Sequence, residues 1–286
     1  MGRRWLFAVA LWCLAQPGLA AQLAIIIDDI GYNGPLGRRA VDLEGAFTLA
    51  ILPFTPHTRE LAQRAYQKGK EIILHAPMSN TRDMPLGKGG LESGMEYDEF
   101  IQTLRANLAE IPHLRGVNNH MGSQLTQEAE PMGWLMDELI RQGLYFVDSR
   151  TSAESKALAV AQAYGVPALK RDVFLDNTRT PEHIREQLLK AARLARKQGM
   201  AVAIGHPYPQ TLQVLEQVSG VLAQLDVELV PASRLMRATS QSAVKTGTSC
   251  LAPPQKLWVQ PSTEPETPTI HQLISETIDL VISGKR

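Results

Sequence analysis

From Leu23 to about Pro231 the chain alternates short apolar runs with stretches of helical periodicity. The first run, Leu23–Ile27, is LAIII, and two carboxylates, Asp28 and Asp29, and then Gly31 follow it closely. Such a run predicts a strand buried on both faces. Further strands are predicted at 47–51, 71–74, 116–119, 145–147, 168–170, 201–204 and 228–230. Between them, residues 97–110 place Phe100, Ile101, Leu104 and Leu108 on one helical face. Residues 131–141 do the same with Trp134, Leu135, Leu139 and Ile140, and Gly143 supplies a stop. Thr180-Pro181 opens another helix, with Thr as cap and Pro at the first helical position. A last helix is predicted over 211–225.

Strand–helix alternation on this scale predicts a parallel α/β architecture. A doubly wound open sheet and a barrel both accommodate it. Polar residues stand at the C-terminal ends of most of the strands: Asp28 and Asp29, His75, His120, Asp148, Arg171 with Asp172, and His206. An open sheet concentrates chemistry at one switch point, whereas a barrel gathers all its strand ends at one mouth. The pattern therefore favours a (β/α) barrel of seven to eight parallel strands. GYNGPLG, after the first strand, is not a nucleotide-binding fingerprint.

The two ends of the chain differ from this middle. Arg3 and Arg4, an apolar stretch to Ala15 and the small residues Gly18 and Ala20 form a secretory leader pattern over 1–20. The stretch is short for a membrane span, so no transmembrane segment is expected after cleavage. The mature protein is expected in the periplasm or secreted. Cys13 leaves with the leader, and Cys250 alone cannot form an internal disulfide. The domain is expected over 21–237. Residues 238–286 read as a flexible Ser-, Thr- and Pro-rich tail with a short amphipathic helix that could dock a protein partner. A formal net charge of zero, with no long basic run, gives nucleic-acid binding no support.

Three of the seven histidines, His75, His120 and His206, stand at equivalent strand ends. One Asp with two His is a common catalytic zinc set, leaving a coordination position open for water. A second Asp beside the ligand can accept a proton, and a further His can donate one. These are the parts for metal-assisted hydrolysis of an amide or ester. Gly122-Ser123 lacks the frame of a nucleophile elbow.

IIIDDIG (25–31), GKEIILHAPM (69–78), GVNNHMGS (116–123), YFVDSRTS (145–152) and IGHPYP (204–209) together resemble the motifs of the divergent polysaccharide deacetylase family. That family is a distant branch of the NodB-homology carbohydrate deacetylases. The resemblance covers roughly Gln22 to Arg237 and implies a distorted (β/α) barrel of seven strands, a divalent metal and hydrolysis of acetyl groups on sugars. Better-known members carry a second histidine four residues after the first; here that position is Ser79. His120 is the expected substitute. The Arg-Pro-Pro-Tyr stretch of those members is absent.

The expectation is a hydrolase acting on an acetylated carbohydrate or peptidoglycan-type substrate. Asp29, His75 and His120 would bind a divalent metal, zinc being the first choice. Asp28 would be the general base and His206 the general acid. Asp148 and Asp172 would orient histidines from behind. The alternative is a non-catalytic metal- or glycan-binding module in an envelope assembly. A metallophosphoesterase is a third reading, without an evident basic clamp for phosphate.

Overall fold

The structure is a computed structural model that describes residues 20–236. The predicted leader, apart from Ala20, and the predicted tail lie outside the described residues. The elements follow in the order β1 (Ala21–Ile30), α1 (Gly34–Asp42), β2 (Thr48–Ile51), α2 (Thr58–Gln67), β3 (Glu71–Met78), α3 (Tyr97–Glu110), β4 (Gly116–Met121), α4 (Ala129–Gln142) and β5 (Tyr145–Asp148). Then come α5 (Ala157–Ala163), β6 (Ala168–Lys170), β7 (Val173–Phe174), α6 (Pro181–Gln198), β8 (Met200–Gly205), α7 (Pro209–Leu215), α8 (Val218–Ala223) and β9 (Val227–Leu229).

The strands form one curled parallel sheet, a half-barrel, in the order β6-β5-β4-β3-β2-β1-β8-β7, with β9 paired to the start of β1. The two ends of this path are successive pieces of chain. Arg171 and Asp172 join β6, which pairs with β5, to β7, which pairs with β8. The Arg171 N–H donates to the Asp148 carbonyl and the Asp172 N–H to the Val202 carbonyl, so this link bridges the seam. The expected (β/α) barrel is the observed fold. The two-residue β7 is the strand that the hydrophobic pattern misses.

Alternation along the strands divides the apolar residues between two cores. Leu23, Ile25 and Ile27 of β1 pack outward with Leu49, Leu74 and Phe146 against the helices. Ala24 and Ile26 pack inward with Ile73, Val147, Val202 and Ile204. This explains why β1 is apolar at every position from Leu23 to Ile27: both of its faces are covered.

The connections follow from local chemistry. Asn33 caps α1 through a 3.0 Å bond from the Leu36 N–H to its Oδ1. Gly31, at φ 142°, lies so close to Thr55 that a Cβ there would stand 2.1 Å from the Thr55 hydroxyl. Thr180 caps α6 and Gly143 ends α4 in a left-handed conformation, as the sequence predicts. The helix expected over 211–225 is instead two, α7 and α8, which share the buried stripe Leu212, Leu215, Val218 and Leu222. No helix among the described residues is long and apolar enough to cross a membrane.

Candidate metal centre

The inward-facing positions of several strands change from apolar to polar toward one end of the sheet. Ala24 and Ile26 on β1 lead to Asp28; Ile73 on β3 leads to His75; Val147 on β5 leads to Ser149; Val202 and Ile204 on β8 lead to His206. On β4, Val117 faces outward, which leaves Asn118 and His120 on the inner side. The inner core is thus capped by a cluster of ionisable and amide groups.

Asp29 has the opposite parity and would face outward on a regular strand. The β1–β2 register shifts between Ile27 and Ile30, and Asp29 adopts φ 57°. This bulge turns its side chain inward beside Asp28. Both carboxylates therefore reach His75. The strands also run past the site, β3 to Met78 and β4 to Met121, so the centre sits inside the sheet's rim.

Asp29 Oδ1 lies 2.9 Å from His120 Nδ1 and 3.2 Å from His75 Nε2, and those two nitrogens are 3.1 Å apart. Among the described residues, this is the group of His, Cys, Asp and Glu side chains whose ligand atoms gather closely enough to share an ion. Asp29 Oδ1 is buried yet accepts no aligned hydrogen bond. Ligands about 2.0–2.1 Å from a tetrahedral zinc stand roughly 3.4 Å from one another. The three separations are close to that value, and the buried oxygen without a hydrogen bond is one that a cation would satisfy. The donor set therefore fits a divalent metal. Ser79, at the position of the second motif histidine, accepts the Ser93 N–H on its hydroxyl at 2.9 Å and so serves the following loop.

Asp28 is 3 % exposed, and its Oδ2 lies 3.7 Å from His75 Nε2. Burial pushes its carboxyl above the ordinary range, against the opposing pull of the His75 and His206 charges and the Asn118 hydrogen bond. For Asp29, burial acts in the same upward direction, but His120 and His75 outweigh it and hold the group well below the usual carboxylate range. One site thus contains two neighbouring carboxylates with opposite tendencies, which suits a base beside a ligand. Burial lowers His75, and the Asp28 and Asp29 charges more than reverse this.

His206 completes the group. Its Nε2 lies 3.8 Å from Asp29 Oδ2. Its Nδ1 is 2.9 Å from Asp176 Oδ1, and its backbone N–H donates to Asp176 Oδ2 at 2.6 Å. Thr211 donates its hydroxyl to the same Oδ2 at 2.7 Å. Burial opposes the charged imidazole, but the Asp176 hydrogen bond and the nearby carboxylates raise it to about 9.

Asp148 and Asp172 do not orient histidines. Asp148 shares the outward parity of Phe146, and its carboxylate accepts the Arg150 N–H and the Ser155 hydroxyl. Asp172 sits at the seam, where its Oδ2 takes the Val202 N–H that the short β7 leaves without a ladder partner. The orienting groups are Asp176, behind His206, and Asn118, behind His75. Asn118 was legible only as part of the GVNNH stretch, and Asp176 as the carboxylate two residues after β7.

The curled parallel sheet with its helices is the fold of a NodB-like (β/α) barrel. The peptidoglycan deacetylase PdaC of Bacillus subtilis shares the fold at a TM-score of 0.50 and 14% identity, over 80% of this chain and 96% of that one. An uncharacterised protein of Agrobacterium tumefaciens matches at a TM-score of 0.74 and 25% identity, over 77% and 91%. Residues 25–236 match the model of the divergent polysaccharide deacetylases, and the chain belongs to that family. The uncharacterised protein YibQ of Escherichia coli is 40% identical over 82% of this chain and 73% of its own length. An uncharacterised Haemophilus influenzae protein is 35% identical over 76% and 77%.

Proposed function

We propose that the protein is a metal-dependent hydrolase that removes acetyl groups from a cell-envelope glycan in the periplasm. The observation that carries this reading is the convergence of Asp29, His75 and His120 beside a separate buried carboxylate, Asp28. Family membership supports a carbohydrate substrate, and the leader pattern of residues 1–20 supports export.

Asp29, His75 and His120 would hold the cation, and zinc suits one carboxylate with two imidazoles. When bound, such a cation polarises an acyl carbonyl and makes water more acidic. Asp28 takes the proton from the attacking water. Its burial keeps it more basic than an exposed Asp, and Asn118 Nδ2, 2.8 Å from Oδ1, fixes its plane. His206 delivers a proton to the departing sugar amine or alkoxide. Asp176 holds the far side of that ring, so Nε2 is the atom presented to the site.

The test is acetate release by zinc-loaded protein from chitooligosaccharides, xylan and peptidoglycan fragments. Acetate is expected from at least one of them, and Asp28→Asn should keep its metal while turnover disappears. Silence across the whole panel, or full activity in Asp28→Asn, overturns the reading.

A further inference from the structure

Asn118 is fully buried on β4, directly opposite His75 in the β3–β4 register. Its Oδ1 lies 2.7 Å from His75 Nδ1. Its Nδ2 lies 2.8 Å from Asp28 Oδ1 and 3.3 Å from Ser149 Oγ. One amide thus bridges a candidate ligand and the candidate base, the latter ninety positions from Asn118 in sequence.

The donor and acceptor inventory fixes how this bridge is wired. An ionised carboxylate only accepts, so the amide atom facing Asp28 is the NH2 group. The amide oxygen then faces His75, and it too only accepts. His75 Nδ1 must therefore carry the hydrogen. In a neutral ring this leaves the Nε2 lone pair bare, and Nε2 is the nitrogen that faces Asp29 and His120.

We infer that Asn118 is the positioning residue of the centre: a single side chain that sets the His75 tautomer for cation binding and holds Asp28 in place for proton transfer. The inference rests on the metal centre proposed above. A neutral amide is suited to this double task because it offers an acceptor to one neighbour and donors to the other. A lysine or arginine lacks the acceptor, and a carboxylate lacks the donors. The adjacent Asn119, of opposite parity, spends its amide on the Met121 carbonyl and the Ser149 N–H, which tie the end of β4 to the loop after β5. The two asparagines thus divide the work between the site and its frame.

Asn118→Asp separates the two arms. It keeps an acceptor for His75 Nδ1–H, loses the N–H donated to Asp28 and sets a like charge beside it. Zn2+ and Co2+ titrations of the metal-free variant should stay within about threefold of wild type, while kcat falls about 100-fold or more with KM little changed. Asn118→Ala removes both arms, so metal affinity should fall roughly 10–100-fold together with kcat. Nitrogen-15 NMR of the metal-free wild type, taken on the basic side of the His75 titration, reads the tautomer directly and needs no variant to fold; the neutral His75 ring should carry its hydrogen on Nδ1. A neutral ring with its hydrogen on Nε2, or metal affinity unchanged in Asn118→Ala, overturns the inference. These readouts involve no turnover. Normal metal binding without acetate release would therefore sink the deacetylase reading and, with it, the Asp28 arm, while the His75 arm would stand.

Discussion

Asp28 and Asp29, neighbours on β1, approach the same imidazole nitrogen: His75 Nε2 is 3.7 Å from Asp28 Oδ2 and 3.2 Å from Asp29 Oδ1. A regular strand cannot do this, because consecutive side chains leave it on opposite sides. The left-handed backbone of Asp29 makes it feasible. Asn and Gly tolerate that conformation, whereas a β-branched residue does not. Asp29→Asn and Asp29→Gly should therefore fold with stability near wild type in the absence of metal, and Asp29→Val should lose about 1–3 kcal/mol. All three should bind Zn2+ at least about 100-fold more weakly. Urea melts and metal titrations of the set check both orders.

Removal of the metal should also be visible without a substrate. Asp29 Oδ1 is buried without a hydrogen bond, so a bound cation would satisfy it. A cation that binds the folded state alone adds about 2.7 kcal/mol at one hundred times its dissociation constant. Chelation should lower the melting temperature and abolish acetate release, and Zn2+ should restore both. A melting temperature indifferent to Zn2+ would count against the centre.

The pH dependence follows from His206, which burial lowers but Asp176, Asp29 and Asp28 together raise from 6.5 to about 9. A histidine raised on folding stabilises the folded state fully below its unfolded pKa. That contribution is lost as pH climbs from about 6.5 through about 9. Metal-free wild type should therefore lose stability over this window, and Asp176→Asn should lose less of it. For activity, a general acid must start protonated, so kcat should fall on a basic limb that Asp176 holds above the ordinary histidine range. Asp176→Asn should move that limb toward the ordinary histidine range. A limb that stays in place would remove His206 from the acid role.

At the other end of the sheet, Glu71 Oε1 accepts the Thr48 hydroxyl, the Tyr145 hydroxyl and the Ser233 N–H at 2.9, 2.8 and 3.1 Å. This network ties β2, β3 and β5 to the chain after β9. Glu71→Ala orphans several donors in a largely buried place, at a cost of about 2–4 kcal/mol. Tyr145→Phe should cost only about 1 kcal/mol. Metal affinity should not change in either variant, because the centre lies on the far side of the inner core. Thermal melts beside Zn2+ titrations test the separation.

The strands were legible in the sequence because most of them are covered on both sides, which leaves unbroken apolar runs such as Leu23–Ile27. Helices α1, α2 and α5 were hidden. Their buried faces consist largely of small residues, including Gly34, Gly37 and Ala40, then Ala62 and Ala65, then Ala157 and Ala161, which draw no hydrophobic stripe. The ionisable residues of the centre could be picked out because they follow apolar runs. Their supports could not. Asn118 looks like any strand asparagine until the register sets it against His75. Asp148 and Asp172 drew attention for their place at strand ends, but parity turned one outward and the seam occupied the other.

The bulge on β1 has a consequence for anyone reading or building such sites. A pair of consecutive acids is ambiguous by itself: on an even ribbon it supplies one group to the interior and spends the other on the outer layer. It becomes a matched pair only where one link of the backbone is wound the other way. Grafting the two letters onto another scaffold without that reversed link would transplant half a site.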